Sequence, residues 1–345
     1  MLATLLLAST VAAAPADTTA RHLTPVSVQV DDHHHQLSVT IGPFHVAAGM
    51  AMHDMDMMVM AQQESLVGMF DWPVDRRFHG VRLEVIDAKG DSLPRRLLHH
   101  TYMVNFDRRQ LVYPIVERTF SFGEETEDMT LPTALGVPMK GGQHMGIVIM
   151  WNNETGHDID GAYVRYTFHL NPRHQWPRPT PILPFFVDSH MVIGRSDTFN
   201  VPPGGRVLST DFTVPVNGHL LALSGHLHDH AVTAQITDAE TGKTLVTIHA
   251  RRDTTGHVLS VSREHPLLWR GGPHFSAGRQ YRLVVTYDNP TSDTLTGVMG
   301  MVGGIFVPDR MHRWPLVDAT NPATRDDIGG LYNSIPTAAP ERHGG

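Results

Sequence analysis

Tyr281-Arg282-Leu283-Val284-Val285-Thr286-Tyr287, followed at once by Asp288-Asn289-Pro290-Thr291, decides the fold class. Its side chains alternate with a period of two and then stop at a cluster of turn residues, which describes a strand and the turn that ends it. Val81-Arg82-Leu83-Glu84-Val85, Tyr163-Val164-Arg165-Tyr166-Thr167-Phe168 and Val232-Thr233-Ala234-Gln235-Ile236 follow the same pattern. Between strands stand Ala88-Lys89-Gly90-Asp91, Asn152-Asn153-Glu154-Thr155-Gly156 and Glu240-Thr241-Gly242-Lys243, each a turn cluster. Hardly any segment carries a helical stripe. Many short strands at regular spacing predict an all-β chain built of β-sandwiches or jelly rolls.

The chain divides at Asn171-Pro172-Arg173-His174-Gln175-Trp176-Pro177-Arg178-Pro179-Thr180-Pro181. Proline cannot donate to a ladder, so this stretch is no central strand. The sequence therefore predicts a first domain over 25–170, a linker over 171–189 and a second domain over 190–312. The two halves repeat a layout. Gly42-Pro43-Phe44-His45-Val46-Ala47-Ala48-Gly49 opens one and Asp197-Thr198-Phe199-Asn200-Val201-Pro202-Pro203-Gly204 the other. Trp151-Asn152-Asn153 closes the first, and Tyr287-Asp288-Asn289 the second. Duplication of one sandwich accounts for this. The polar, Gly- and Pro-rich segment 315–345 is expected to be a disordered tail. At the other end, Leu5-Leu6-Leu7 and Val11-Ala12-Ala13-Ala14-Pro15-Ala16 have the apolar run and small-residue cleavage pattern of a signal peptide over 1–16. Export to a periplasmic or secreted location is expected from it, and no later stretch is apolar for long enough to span a bilayer.

Composition narrows the chemistry. The 345 residues carry a formal net charge of -8 with no basic run, which argues against nucleic acid as a partner. There is no cysteine, so disulfides, zinc–thiolate centres and iron–sulfur clusters are excluded. The chain instead holds 24 His and 17 Met, imidazole and thioether being the side-chain ligands of copper. Ser224-Gly225-His226-Leu227-His228-Asp229-His230 places His226 and His228 on one strand face. Most bare H-x-H pairs are merely polar strand faces, and Met299 in Gly297-Val298-Met299-Gly300-Met301 is by itself ordinary core filling. In the first half His99 and His100 are adjacent. Neighbouring strand residues face opposite ways, so a shared ion needs a bulge there; otherwise one is core and one surface. His33-His34-His35 suits a solvated tract with incidental metal affinity. Met50-Ala51-Met52-His53-Asp54-Met55-Asp56-Met57-Met58-Val59-Met60 has six methionines in eleven residues. It is equally a thioether-filled core strand and an auxiliary Cu(I) segment.

The ordered set His99-His100, His226-Leu227-His228 and Met299, with Pro308 beyond it, resembles the copper type II, ascorbate-dependent monooxygenases. That is the family of peptidylglycine alpha-hydroxylating monooxygenase and dopamine beta-monooxygenase. The resemblance spans roughly residues 40–310. It implies two jelly-roll domains with one copper each, an electron-transfer ion in the first and an oxygen-activating ion in the second. It implies hydroxylation of a C–H bond of a small-molecule or peptide substrate, with an ascorbate-like reductant. The implied metal ligands are His99, His100 and a third group in the first domain, and His226, His228 and Met299 in the second. Where the family has its third first-domain His, this chain has Met150, with His144 six residues earlier as the weaker substitute. The positions that hold a peptide carboxylate in the peptide-hydroxylating member are here Ser224, Met301 and Gly303. A peptidyl-glycine substrate is therefore not expected. Two further classes stay open: a non-catalytic protein that stores or delivers copper, and a jelly-roll scaffold with vestigial ligands.

Overall fold

The computed structural model describes residues 21–49, 65–123, 128–191, 193, 198–264 and 272–336. The signal segment 1–16 and the Met50–Met60 stretch lie outside the described residues.

The first half contains β1 (Val26–Asp31), β2 (Gln36–Val46), β3 (Ser65–Asp71), β4 (Arg76–Ile86) and β5 (Leu98–Arg109). It continues with β6 (Val116–Gly123), β7 (Met129–Thr130), β8 (Leu135–Met139), β9 (His144–Trp151) and β10 (Ile159–Leu170). Next come β11 (Thr180–Pro181), β12 (Leu183–Asp188), β13 (Phe199–Val201), β14 (Arg206–Thr213), β15 (Gly218–Leu227) and β16 (Ala231–Asp238). The last strands are β17 (Thr244–Arg252), β18 (Val258–Val261), β19 (His274–Phe275), β20 (Gln280–Tyr287), β21 (Leu295–Val298) and β22 (Gly300–Pro308). Among the described residues one α-helix, α1 (Pro322–Asn333), follows them.

Strand order identifies two jelly rolls. In the first half β2-β10-β4-β8 forms one sheet, with β1 and β11 at its edges, and β3-β9-β5-β6 the facing one. In the second, β12-β22-β15-β19 faces β14-β20-β16-β17, to which β18 adds an edge. Both halves thus have the paired four-stranded sheets of a double Greek key, in the same order. Alternation fills each sandwich. Leu37, Val39 and Ile41 of β2 and Val164, Tyr166 and Phe168 of β10 are buried against Met103, Ile147 and Ile149 of the opposite sheet. The second core gathers Leu220, Leu223, Leu227, Ile236, Leu283, Val285, Val302 and Phe306 in the same manner.

The duplication extends to individual contacts. Phe44 meets Trp151 edge-on at 5.2 Å, and Phe199 meets Tyr287 at 5.6 Å. The Asn153 amide donates to the carbonyls of Val46 and His157, both at 2.9 Å. Asn289 does the same to Val201 and Asp293, at 3.1 and 2.8 Å. Thr155 and Thr291 each donate a hydroxyl back to that asparagine, at 2.6 and 2.7 Å.

Two boundary expectations need correction. The linker is shorter than 171–189. Thr180–Pro181 already pairs with β8, Ile182 is buried in the first core, and β12 is an integral strand of the second domain. The proline argument fails there because these prolines sit at short or edge strands, which need no N–H from every residue. The disordered tail is also wrong for its middle. Asn321 caps α1 by accepting from the Ala323 N–H at 2.9 Å, with Pro322 next to it. Glycines 329 and 330 are poor helix formers. What holds the helix is packing of Leu331 and Ile335 against Leu66, Val104, Val116 and Val148 on the outer face of β3-β9-β5-β6. Asp327 fixes it further, accepting from both terminal nitrogens of Arg118 at 2.7 and 2.8 Å and from the Val116 N–H at 3.0 Å.

The domains share a junction. Leu221, Ile305 and Val307 of the second pack against the first core, and Leu111 of the first enters the second. Tyr113, in the β5–β6 connection, packs on Phe186 at 5.3 Å, and its hydroxyl accepts from the Asp188 N–H at 2.9 Å.

Candidate metal centre

The second-domain histidines stand on the β12-β22-β15 sheet. Leu223, Gly225 and Leu227 of β15 point into the sandwich, so Ser224, His226 and the following His228 face outward. Ile305 of that same outward face packs on the first domain. The His226–His228 pair is therefore a continuation of the surface that joins the two halves. The two Nε2 atoms are 3.1 Å apart and the rings stand nearly perpendicular, at 89°.

That separation has a direct chemical meaning. Two imidazole nitrogens bound at about 2.0–2.1 Å to one ion are about 2.9 Å apart at a right angle and about 3.3 Å apart at the tetrahedral angle. The observed separation falls between these values, so it is compatible with both nitrogens binding one ion. Two neutral rings meet equally well by one Nε2–H donating to the other Nε2.

Two methionines lie near this pair in the chain's path. Met301 lies directly across from His226 in the β15–β22 register, and cross-strand partners share a face. Met299, two residues away, has the same parity, and its carbonyl accepts from the His228 N–H at 3.3 Å. It is not on a strand, as the sequence suggests, but in the break between β21 and β22. The Tyr287 hydroxyl also donates to the Met299 carbonyl. Burial pushes the Tyr287 phenol well above its ordinary pKa, so it stays a donor. Asp188 is buried on the other side of Met301, opposite it in register, and its carboxylate accepts from the His190 N–H at 2.6 Å.

The first-domain candidates lie on the other kind of sheet. Leu98 pairs with Trp151 and His100 with Met150, so His99 is an extra residue on β5 and makes a bulge. The bulge is what an adjacent pair needs to turn toward one side. The two rings are 5.1 Å apart. Met150, directly opposite His100, is buried at 3% exposure. His144 is not brought to the pair. It lies at the far end of β9, opposite Asp71, where its exposed ring meets Asp107 at 2.9 Å. The aromatic ring of Tyr102 stacks beside His100 at 6.5 Å, and Arg118 covers Tyr102 at 5.7 Å.

Sequence reasoning missed Tyr287 as a support of the Met299 backbone and Asp188 as a buried neighbour of Met301; it named Met301 as the ligand should Met299 point away. Period two already placed Met301 on the face of Met299; Asp188 and Tyr287 emerge only from strand pairing.

No protein-family model matches this chain, and no curated protein matches it. Among solved structures it is similar to the STIV MCP, at 9% identity and a TM-score of 0.38, covering 70% of this chain and 91% of that one. It is also similar to PNGF-II, at 10% identity and a TM-score of 0.36, covering 84% of this chain and 64% of that one. The infectious bursal disease virus VP2 subviral particle overlaps at 10% identity and a TM-score of 0.25, covering 88% of this chain and 76% of that one. Likeness this loose carries nothing about chemistry; the two jelly rolls rest on strand order.

Proposed function

We propose that this chain is a copper-dependent monooxygenase, using dioxygen and an ascorbate-like reductant to hydroxylate a C–H bond of a small molecule or peptide. One observation carries the reading: His226 Nε2 and His228 Nε2 stand 3.1 Å apart, with Met301 directly across the strand pair from His226. Copper at such a centre supplies one-electron chemistry with dioxygen. The rest is done by the chain. His226 and His228 hold the ion through Nε2, and a thioether from Met299 or Met301 favours its reduced form. Tyr287 and the His228 N–H fix the Met299 backbone. Ser224 and Gly303, opposite each other on the same face, leave room for a substrate and offer it no charge. His99, His100 and Met150 form the second holding site, suited to storing an electron. The signal-like segment 1–16 supports a periplasmic or secreted setting for this activity.

The test is copper content measured together with oxygen uptake in the presence of ascorbate. Two copper ions per chain and ascorbate-dependent uptake that disappears with His226→Ala support the reading. Copper binding with no uptake for any reductant or substrate tried supports a second reading, a non-catalytic protein that stores or delivers copper. The Met-rich stretch 50–60, the 24 histidines and the absence of the family's carboxylate-holding groups at Ser224, Met301 and Gly303 favour that alternative.

A further inference from the structure

We propose a separate divalent-cation site of the zinc class at His219, His274 and Asp309, beyond the copper reading. Among the described residues these are the one group of three His, Asp or Glu side chains whose ligand atoms all lie within 4.8 Å of one another. They come from three strand ends. His219, near the start of β15, is directly opposite His274 of β19, and Asp309 follows the last residue of β22. The imidazole rings are 4.8 Å apart. Asp309 Oδ2 is 3.1 Å from His274 Nε2, and Oδ1 is 4.0 Å from His219 Nε2.

The backbone around them is fixed. The Asp309 N–H donates to the Asn217 carbonyl at 3.0 Å, and the Asn217 side chain accepts from the Ala277 N–H at 2.7 Å. His219 turns Nδ1 toward the Gly272 carbonyl, 3.4 Å away, which selects Nε2 as the ligand nitrogen. A backbone carbonyl on the far ring nitrogen is the usual support of a metal-bound imidazole. Two imidazoles and one carboxylate suit a borderline divalent ion and leave a coordination position to water. With side-chain exposures of 39%, 40% and 41%, the three groups are open to an ion from solution. The site is distinct from the His226–His228 pair, since seven residues of β15 separate His219 from His226, about 23 Å at strand rise.

The competing account is a surface carboxylate shared by two imidazoles with no ion. Equilibrium dialysis of the chelator-stripped full chain against zinc alone separates the two, with thermal melting in chelator as the check on folding. The expected result is one zinc bound with an affinity that falls at least about ten-fold in His274→Gln and in Asp309→Asn. Asp309→Glu should retain binding, and the His226→Gln/His228→Gln double variant should leave this zinc in place. Zinc affinity unchanged in His274→Gln and Asp309→Asn overturns the proposal. So does zinc uptake lost only in the His226/His228 variant, a result that would leave the copper reading intact.

Discussion

The strand pair β2–β10 and its counterpart in the second half do the same structural work and differ at one place. In the first half the pair runs from Gln36 to Val46 against Ile159 to Leu170, with bulges and no gap in β10. In the second, the same path splits into β12–β22 and β13–β21, and the gap falls at Met299. Duplication reproduced the scaffold down to the Asn153–Thr155 and Asn289–Thr291 turns. It did not reproduce a ligand site. His226 and His228 follow the sheet made of β12, β22, β15 and β19, whereas His99, His100 and Met150 occupy β5 and β9 of the opposite kind. The break frees the Met299 carbonyl from a ladder, and His228 and Tyr287 take it up. The repeated layout of the halves therefore accounts for the frame, and local irregularities (a gap in one half, a bulge in the other) set the candidate sites apart.

The largest effect expected is at the second centre. The His226→Ala/His228→Ala double variant should lose one of two copper equivalents and all ascorbate-dependent oxygen uptake, with the first-site copper retained. Loss of both ions together would show that the two sites are coupled and would break the comparison.

Both halves bury charge, and the first does so as a pair. The first buries a forked Arg108–Glu117 ion pair, with Glu117 fully enclosed and Thr119 donating to it. Removing one partner leaves an uncompensated buried charge. Glu117→Ala should cost about 3–5 kcal/mol in denaturant unfolding; a cost below about 1 kcal/mol would mean that water reaches Arg108.

Met150→Ala should cost about 2 kcal/mol from the cavity it leaves. It should also weaken Cu(I) binding at the first site while sparing the second. Met150→His should keep the copper and shift it toward Cu(II), since imidazole is the harder ligand. Unchanged Cu(I) affinity in Met150→Ala would remove Met150 from the ligand set.

Tyr287→Phe probes the break itself. The Met299 carbonyl keeps its bond from His228, so the expected stability loss is about 1 kcal/mol. Second-site copper affinity should fall about ten-fold, as when a ligand's support is removed. Trp151, at the equivalent place, flanks the His99 bulge and has no hydroxyl for a carbonyl, and Trp151→Phe should leave second-site copper affinity unchanged.

The smallest effect lies at Asp238 in the second domain, largely covered by its turn and by Arg279. The Arg279 guanidinium beside Asp238 holds its carboxyl at about 2, below the ordinary 3.8, with help from the Thr241 N–H. A carboxyl whose folded pKa is depressed contributes stability above its unfolded value, and that contribution is lost as pH falls from 3.8 toward 2. Asp238→Asn should therefore unfold at lower urea than wild type at pH 5, with the gap closing near pH 2. A gap that persists in acid would assign the loss to the turn hydrogen bonds instead.

The sequence by itself determined the period-two strands, the double layout, the asparagine turns that close it and the parity that puts His226 with His228. All of these are local, fixed by alternation and by what Gly, Pro and Asn do within a few residues. It also placed Met150 nearer the histidine pair than His144, because position along one strand is a matter of rise per residue. Tertiary structure alone decided which strand each one meets. The bulge at His99, the gap at Met299, the Met301 partner of His226 and the Asp188 beside it depend on register between segments far apart in the chain. The convergence of His219, His274 and Asp309 has the same origin. The helix at Pro322–Asn333 was illegible for a related reason. Its own residues favour helix weakly, and the apolar face that stabilises it belongs to β3, β5, β6 and β9.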